Sequence, residues 1–281
     1  MTEPQPSAST GFGGDGHTHG LDYAIRGHEM QFVEIELDPG ESVVAEAGAM
    51  MFKSPTVEMD TVFGDGSGGN KGFMGSLLGA GKRLITGESL FTTIFTQQGA
   101  GKGRVAFAAP YPGTIKAMKL SDVGGRLICQ KDSFLCAAKG VSLGVFFQKR
   151  IMTGLFGGEG FIMQKLEGDG WVFVHLGGTT QEITLRPGEE LHVDTGCLAA
   201  MTGEVDFDLQ MVSGIKSALF GGEGLFFARL RGPGTVWIQS LPFSRLAGRM
   251  LEAAPQGGGR SVGEGSVLGG IGRLIDGDRG F

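Results

Sequence analysis

The chain has 281 residues, 41% of them hydrophobic, with 24 basic against 30 acidic side chains. That length suffices to bury a large core, and the charge balance excludes a general affinity for nucleic acid phosphates. Glycine accounts for 53 of the 281 residues, about 19% where about 7% is usual, but there is no Gly-X-Y period and proline numbers only 10, which excludes collagen and a Pro/Gly linker. Apolar alternation at this glycine content predicts many short strands joined by tight turns.

The first residues, MTEPQPSASTGFGGDGHTHG, carry neither a basic start nor an apolar h-region, and they lack the Arg-rich, acid-poor character of a transit peptide. Residues 1–24 therefore read as a disordered Gly-rich tail, in which His17 and His19 would take up metal only adventitiously. No apolar run approaches the ~18 residues of a membrane-spanning helix, so the expected location is the cytoplasm.

Residues 25–113 open on FVEIELDPGESVVAEAGAMMF, where Val33, Ile35 and Leu37 alternate with Glu34 and Glu36. Period two predicts a strand with one buried face and one wet face, and Pro39-Gly40 predicts the turn after it. A Gly-rich insertion follows at 64–82. Its GDGSGGNKG (64–72) lacks the G-x-x-x-x-G-K-[ST] spacing of a phosphate loop. Then comes TGESLF (Thr86–Phe91) and a closing hairpin.

Residues 114–178 repeat the plan: a strand, a Gly turn, a strand ending near Ala-Ala, an apolar-basic stretch, LFGGEG at Leu155–Gly160, and a hairpin through GDG (168–170). Residues 179–251 repeat it again. Ile183 and Leu185 alternate with Glu182, Thr184 and Arg186, Pro187-Gly-Glu189 matches Pro39-Gly-Glu41, LFGGEG recurs at Leu219–Gly224, and GPG (232–234) closes the last hairpin. The hexapeptide copies start at 155 and 219, 64 residues apart, and bring their flanking pattern with them. Residues 252–281 form a second Gly-rich tail, where SVLGGIGRLI suits a short docked helix. The expected fold is all-β: a tandem triplication of antiparallel β-sandwich units. Cys129, Cys136 and Cys197 show no C-x-x-C spacing and read as small apolar residues in a reducing compartment.

The Pro-Gly-Glu turns, the twin LFGGEG, the WVFVHLGG strand and the Gly-rich C-terminal tail resemble the "altered inheritance of mitochondria" (mitochondrial biogenesis) family, in its bacterial members, from about Ala24 to Leu251. The resemblance implies three tandem units like the trp RNA-binding attenuation protein, in a pseudo-threefold arrangement. It supplies no catalytic residues, and a shared fold does not transfer tryptophan or RNA binding.

Candidate chemistry is sparse. Gly157, Gly158, Glu159 and Gly160, with Gly221, Gly222, Glu223 and Gly224, read as repeated structural joints. Glu88, Glu159 and Glu223 would gather three carboxylates for a hard cation if the repeats converge, but glutamates bonding the N–H groups freed by the glycines explain the recurrence as well. His175 and His192 sit in strand patterns without the cluster a metal site needs. No G-x-S-x-G, activated cysteine or paired carboxylates point to catalysis, so no catalytic residue, metal or cofactor is expected.

The segments before each joint mix apolar and basic residues: Phe73, Lys82 and Arg83; Lys149 and Arg150; Lys216. They suit a partner protein or an anionic membrane surface, or a core contact by Phe146, Phe147, Leu155 and Phe156 with the charges reaching water. The expectation is a non-catalytic cytosolic binding or scaffold protein. Peripheral membrane association is the alternative and self-association is open, while RNA binding ranks last.

If LFGGEG is a structural joint, Gly158→Ala and Gly222→Ala both destabilise, by similar amounts, and by more than the roughly 0.4–1 kcal/mol that Gly→Ala gains where alanine fits. Thermal melts of the two variants, with and without a divalent-metal chelator, check this. A chelator-sensitive parent whose sensitivity disappears in Glu159→Gln and Glu223→Gln would assign the glutamates to a metal instead.

Overall fold

The computed structural model describes residues 20–63, 91–149, 161–211 and 226–254. A leading strand, β1 (Asp22–Arg26), precedes three runs of six strands. The first run is β2 (Phe32–Leu37), β3 (Ser42–Glu46), β4 (Met50–Lys53), β5 (Val57–Phe63), β6 (Phe91–Gln97) and β7 (Gly103–Ala108). The second is β8 (Gly113–Lys119), β9 (Arg126–Gln130), β10 (Phe134–Ala138), β11 (Ser142–Lys149), β12 (Phe161–Glu167) and β13 (Trp171–Gly177). The third is β14 (Thr180–Leu185), β15 (Glu190–Asp194), β16 (Leu198–Thr202), β17 (Asp206–Met211), β18 (Phe226–Arg231) and β19 (Gly234–Gln239). Helix α1 (Phe243–Ala253) follows.

Pairing is antiparallel throughout and recurs every six strands. The first strand of each run pairs with the sixth: β2–β7, β8–β13, β14–β19. The third also pairs with the sixth: β4–β7, β10–β13, β16–β19. Each of those ladders breaks register at the same place, between Met50 and Phe52, Phe134 and Cys136, Leu198 and Ala200. The second and fourth strands flank the fifth: β3–β6–β5, β9–β12–β11, β15–β18–β17.

Two ladders join the runs. β3 pairs with β10 and β9 pairs with β16. Half a sheet from one run thereby continues edge to edge into half a sheet from the next. Four sheets result, in the orders β1-β2-β7-β4, β5-β6-β3-β10-β13-β8, β11-β12-β9-β16-β19-β14 and β15-β18-β17.

Three apolar cores lie between successive sheets. Val33, Ile35, Val105 and Phe107 from the first run pack with Leu135, Cys136 and Phe173 from the second. Leu127, Leu166 and Val172 from the second pack with Ala199, Ala200 and Trp237 from the third. The third core holds Met163, Leu198, Ala228, Leu230 and Val236. Joining strands touch a core on each face, so β10 buries Phe134 through Ala137 in succession and β16 buries all five of its residues. Such strands read as continuous apolar runs. In β2 Val33, Ile35 and Leu37 are fully buried, but the opposite face is not simply wet, since Glu34 is buried in ion pairs with Arg26 and Arg104.

The Pro-Gly-Glu turns are matched in detail. Gly40 (φ 84°) and Gly188 (φ 81°) adopt left-handed backbone that favours glycine. The Glu41 carboxylate accepts the Asp38 N–H at 3.0 Å and the Glu189 carboxylate accepts the Arg186 N–H at 2.9 Å.

Strand β1 runs into the stretch read as tail: Leu21 and Ala24 are buried, and Tyr23 packs edge-on to Trp171 and Phe173. Helix α1 is an element the glycine-rich sequence did not suggest. The segment 64–90, both LFGGEG copies and residues 255–281 lie outside the described residues.

Candidate functional site

The sequence-derived candidates fall almost wholly outside the described residues. Glu88, Glu159 and Glu223, the joint glycines, and Phe73, Lys82, Arg83, Arg150 and Lys216 all lie there, and Lys149 is placed only as the last residue of β11. Of the aromatic residues before the second joint, Phe147 packs against the third core, while Phe146 is exposed. Among the described residues no three His, Cys, Asp or Glu side chains gather as metal ligands.

Chemistry concentrates instead where the first run meets the second. The turn after β3 begins at Glu46, the turn after β9 holds Lys131, Asp132 and Ser133, the loop before β8 carries Tyr111, and β13 supplies His175. Matching register shows why this place is unusual. Ala45 and Cys129 are equivalent, because they pair with Cys136 and Ala200, equivalent residues of β10 and β16. Glu46 and Gln130 follow them. Phe173 and Trp237 are likewise equivalent, so His175 corresponds to Gln239.

At the later junction the glutamines satisfy each other. Gln239 Nε2 donates to Gln130 Oε1 at 3.2 Å and to the Gly196 carbonyl at 2.9 Å, while Gln239 Oε1 accepts the Gly177 N–H at 2.8 Å. The earlier junction has titratable groups in the same places.

Their environment shifts them strongly. Burial raises Glu46 to about 7, with the nearby Asp132 carboxylate adding to the rise and Lys131 opposing it. Burial lowers His175 to about 4, with slight opposition from the Tyr111 main chain. His175 is 1% exposed, and neither of its ring nitrogens has a partner of good hydrogen-bond geometry among the described residues. The Tyr111 ring stands edge-on to it at 4.5 Å, and Phe243 of α1 lies 5.6 Å from Tyr111 on another side. Burial also raises the Tyr111 hydroxyl, reinforced by Asp132 and Glu46. The Tyr111 and Ser133 hydroxyls are buried without partners among the described residues. Gly113 is required beside the ring, because a Cβ there would meet His175 Nε2 at 2.5 Å and the Leu176 carbonyl at 2.1 Å.

Tyr111 lies near both shifted groups, its ring against His175 and its hydroxyl raised in part by the Glu46 carboxylate. Burial pushes the Cys129 thiol up to about 12 and raises Cys136 as well, so neither thiol is ionised near neutrality. In sequence, the only signal was the alignment of AEAG, CQKD and VDTG across the runs, which sets Glu46 where Gln130 and Asp194 stand.

Residues 23–241 match the family described as Mitochondrial biogenesis AIM24. The chain belongs to the AIM24 family. Among relatives of this AIM24 chain is an uncharacterized protein of Streptococcus pyogenes serotype M6, 34% identical over 232 residues, which cover 80% of this chain and 88% of that one. A crystal structure of a Streptococcus pyogenes protein superposes with a TM-score of 0.66 at 25% identity, over 83% of this chain and all of the other. The matched span takes in the nineteen strands of the described residues, with the first residue of β1 just outside it. It ends before α1.

Opposite linkages meet at this junction. Glu46 is protonated more readily in the fold than in the unfolded chain, so it removes stability as pH rises from about 4.5 to about 7. His175 is protonated less readily in the fold, so it removes stability as pH falls from about 6.5 to about 4. Between about 4.5 and 6.5 the slopes oppose each other at roughly 1.4 kcal/mol per pH unit. Glu46→Gln is therefore expected to uncover a loss on acidification across that window, and His175→Gln a loss on alkalinisation. Urea unfolding at a series of pH values measures both; parallel profiles for parent and variants would contradict the assignment.

Proposed function

We propose that this AIM24-family chain is a non-catalytic, cytoplasmic binding or scaffold protein. Its body consists of three copies of one six-strand antiparallel unit, pseudo-threefold in order and comparable to the trp RNA-binding attenuation protein. The boundaries follow the sequence: 25–113, 114–178 and 179–251. The recurrence of the ladder pattern and of its register breaks carries this reading. Two six-stranded sheets run across unit boundaries, so the units act as one rigid platform rather than as beads on a string. Burial keeps the Cys129 and Cys136 thiols un-ionised, which supports the non-catalytic reading.

One observation favours the second reading, association with an anionic membrane. Helix α1 exposes Phe243, Met250 and Leu251, and carries Arg245 and Arg249. Apolar residues beside arginines suit the boundary between headgroups and acyl chains. No helix among the described residues is long and apolar enough to cross a membrane. RNA binding has the weakest support, since acidic residues outnumber basic ones 30 to 24.

Flotation with phosphatidylserine-containing vesicles at low salt separates the readings. The scaffold reading expects the full chain to stay in the dense fractions. Co-flotation that is abolished by Met250→Asp with Leu251→Asp would replace it with the membrane reading.

A further inference from the structure

Every third strand of a run sits between two neighbours, with one exception. β10 lies between β13 and β3, and β16 lies between β19 and β9, whereas β4 pairs with β7 alone among the described residues. Every second strand is likewise flanked twice except β15, which pairs with β18 alone. Among the described residues, one copy of each half of a joint made twice internally is thus left unpaired.

The side chains follow the same pattern. By register, Met51 and Phe52 correspond to Leu135 and Cys136 in β10 and to Ala199 and Ala200 in β16. Leu135 and Cys136 pack into the core of the preceding run, and Ala199 and Ala200 do the same one run later; all four are at most 1% exposed. Met51 is 54% exposed and Phe52 41%. Each of the three cross-strand pairs here sets one large aromatic residue opposite one small residue: Cys136 with Phe173, Ala200 with Trp237, and Phe52 with Ala106. In the second and third runs the aromatic residue is enclosed by the run before. In the first run no described residue takes the place of that preceding run, and Phe52 stays exposed.

The other half of the joint is open in a matching way. His192 of β15 is exposed where its counterparts Val44 and Ile128 are buried. The third core, behind β15, is bordered by partly buried apolar residues including Leu191, Phe207, Leu209 and Phe226, whereas the doubly enclosed second core has only Val123.

We propose that β4 of one copy of this chain pairs antiparallel with β15 of a second copy, extending the β15-β18-β17 sheet and seating Met51 and Phe52 of the first copy against the third core of the second. This rests on the three-unit reading above. The internal ladders fix the register. Cys136 pairs with Ala45 and Ala200 with Cys129, so Phe52 meets Val193, Lys53 meets His192 and Ser54 meets Leu191. Lys53 then lies diagonal to Glu190 and Asp194 on the same face, a favourable charge arrangement. Main-chain pairing supplies the adhesion and the aromatic side chain the specificity. The contact is heterologous, joining the front of one copy to the back of the next, and so builds a ring or an open chain of copies.

Light scattering on the full chain at micromolar concentration tests this. The expected mass is a whole multiple of 29.4 kDa, falling to a single chain in Phe52→Asp with the circular dichroism spectrum unchanged. A second measurement stands even if that variant does not fold. Lys53→Cys and His192→Cys chains, which keep Met51 and Phe52, are mixed and treated with a short bis-maleimide. A two-chain product is expected in the mixture and not with either variant alone. A monomeric parent would overturn the inference, as would an oligomer indifferent to Phe52→Asp or a product formed by one variant by itself. A monomer in which the Lys53→Cys/His192→Cys double variant cross-links within one chain would show that β15 closes on its own β4; the three-unit reading would survive and the intermolecular joint would not.

Discussion

The main-chain ladders between runs, β3 with β10 and β9 with β16, are the constraint on which the rest of the structure depends. A run of six strands yields two three-stranded half-sheets, and neither encloses a core without help. The first core is completed by Leu135, Cys136 and Phe173 from the second run, and the second by Ala199, Ala200 and Trp237 from the third. Burying that surface contributes about 25 cal/mol per Å² of apolar area, and the ladders hold the contributing strands at the correct height. Joining two half-sheets edge to edge also leaves fewer open strand edges, the parts of a β protein most prone to unwanted pairing.

This dependence explains what sequence alone could reveal. In β2 the sequence alternates, Val33, Ile35 and Leu37 against Glu34 and Glu36, although Glu34 is itself buried beneath Arg26 and Arg104. The paired Pro-Gly-Glu turns were equally legible, because proline and a positive-φ glycine have few other uses between apolar runs. The joining strands were harder to place. β10 and β16 are packed on both faces, so they carry an unbroken apolar signal with no period that would say which strand lies beside them. Edge-to-edge order depends on contacts far apart in the chain, such as Cys136 with Ala45, and no local pattern encodes it.

The candidate site was hidden for a related reason. Glu46 lies in no catalytic or metal-binding motif, and His175, within WVFVHLGG, stands in an apolar strand without other ligands around it in sequence. Their significance appears only by comparison between equivalent positions, where the later junction places two glutamines that bond each other. The equivalent positions of the earlier junction hold a carboxyl group and an imidazole, each shifted by burial. The recurrence of LFGGEG drew attention to other glutamates, Glu159 and Glu223, that lie outside the described residues, whereas the departure from repetition at Glu46 and His175 marks where the chemistry differs.

Native-state hydrogen exchange resolved to single strands tests most directly whether the ladders between runs govern the whole. If they do, amides of β3, β10, β9 and β16 exchange together, at the slowest rate in the molecule and only through global unfolding. Amides in the β9–β16 ladder that exchange well before those in the β9–β12 ladder would contradict this, because the runs would then separate from one another while each stayed folded.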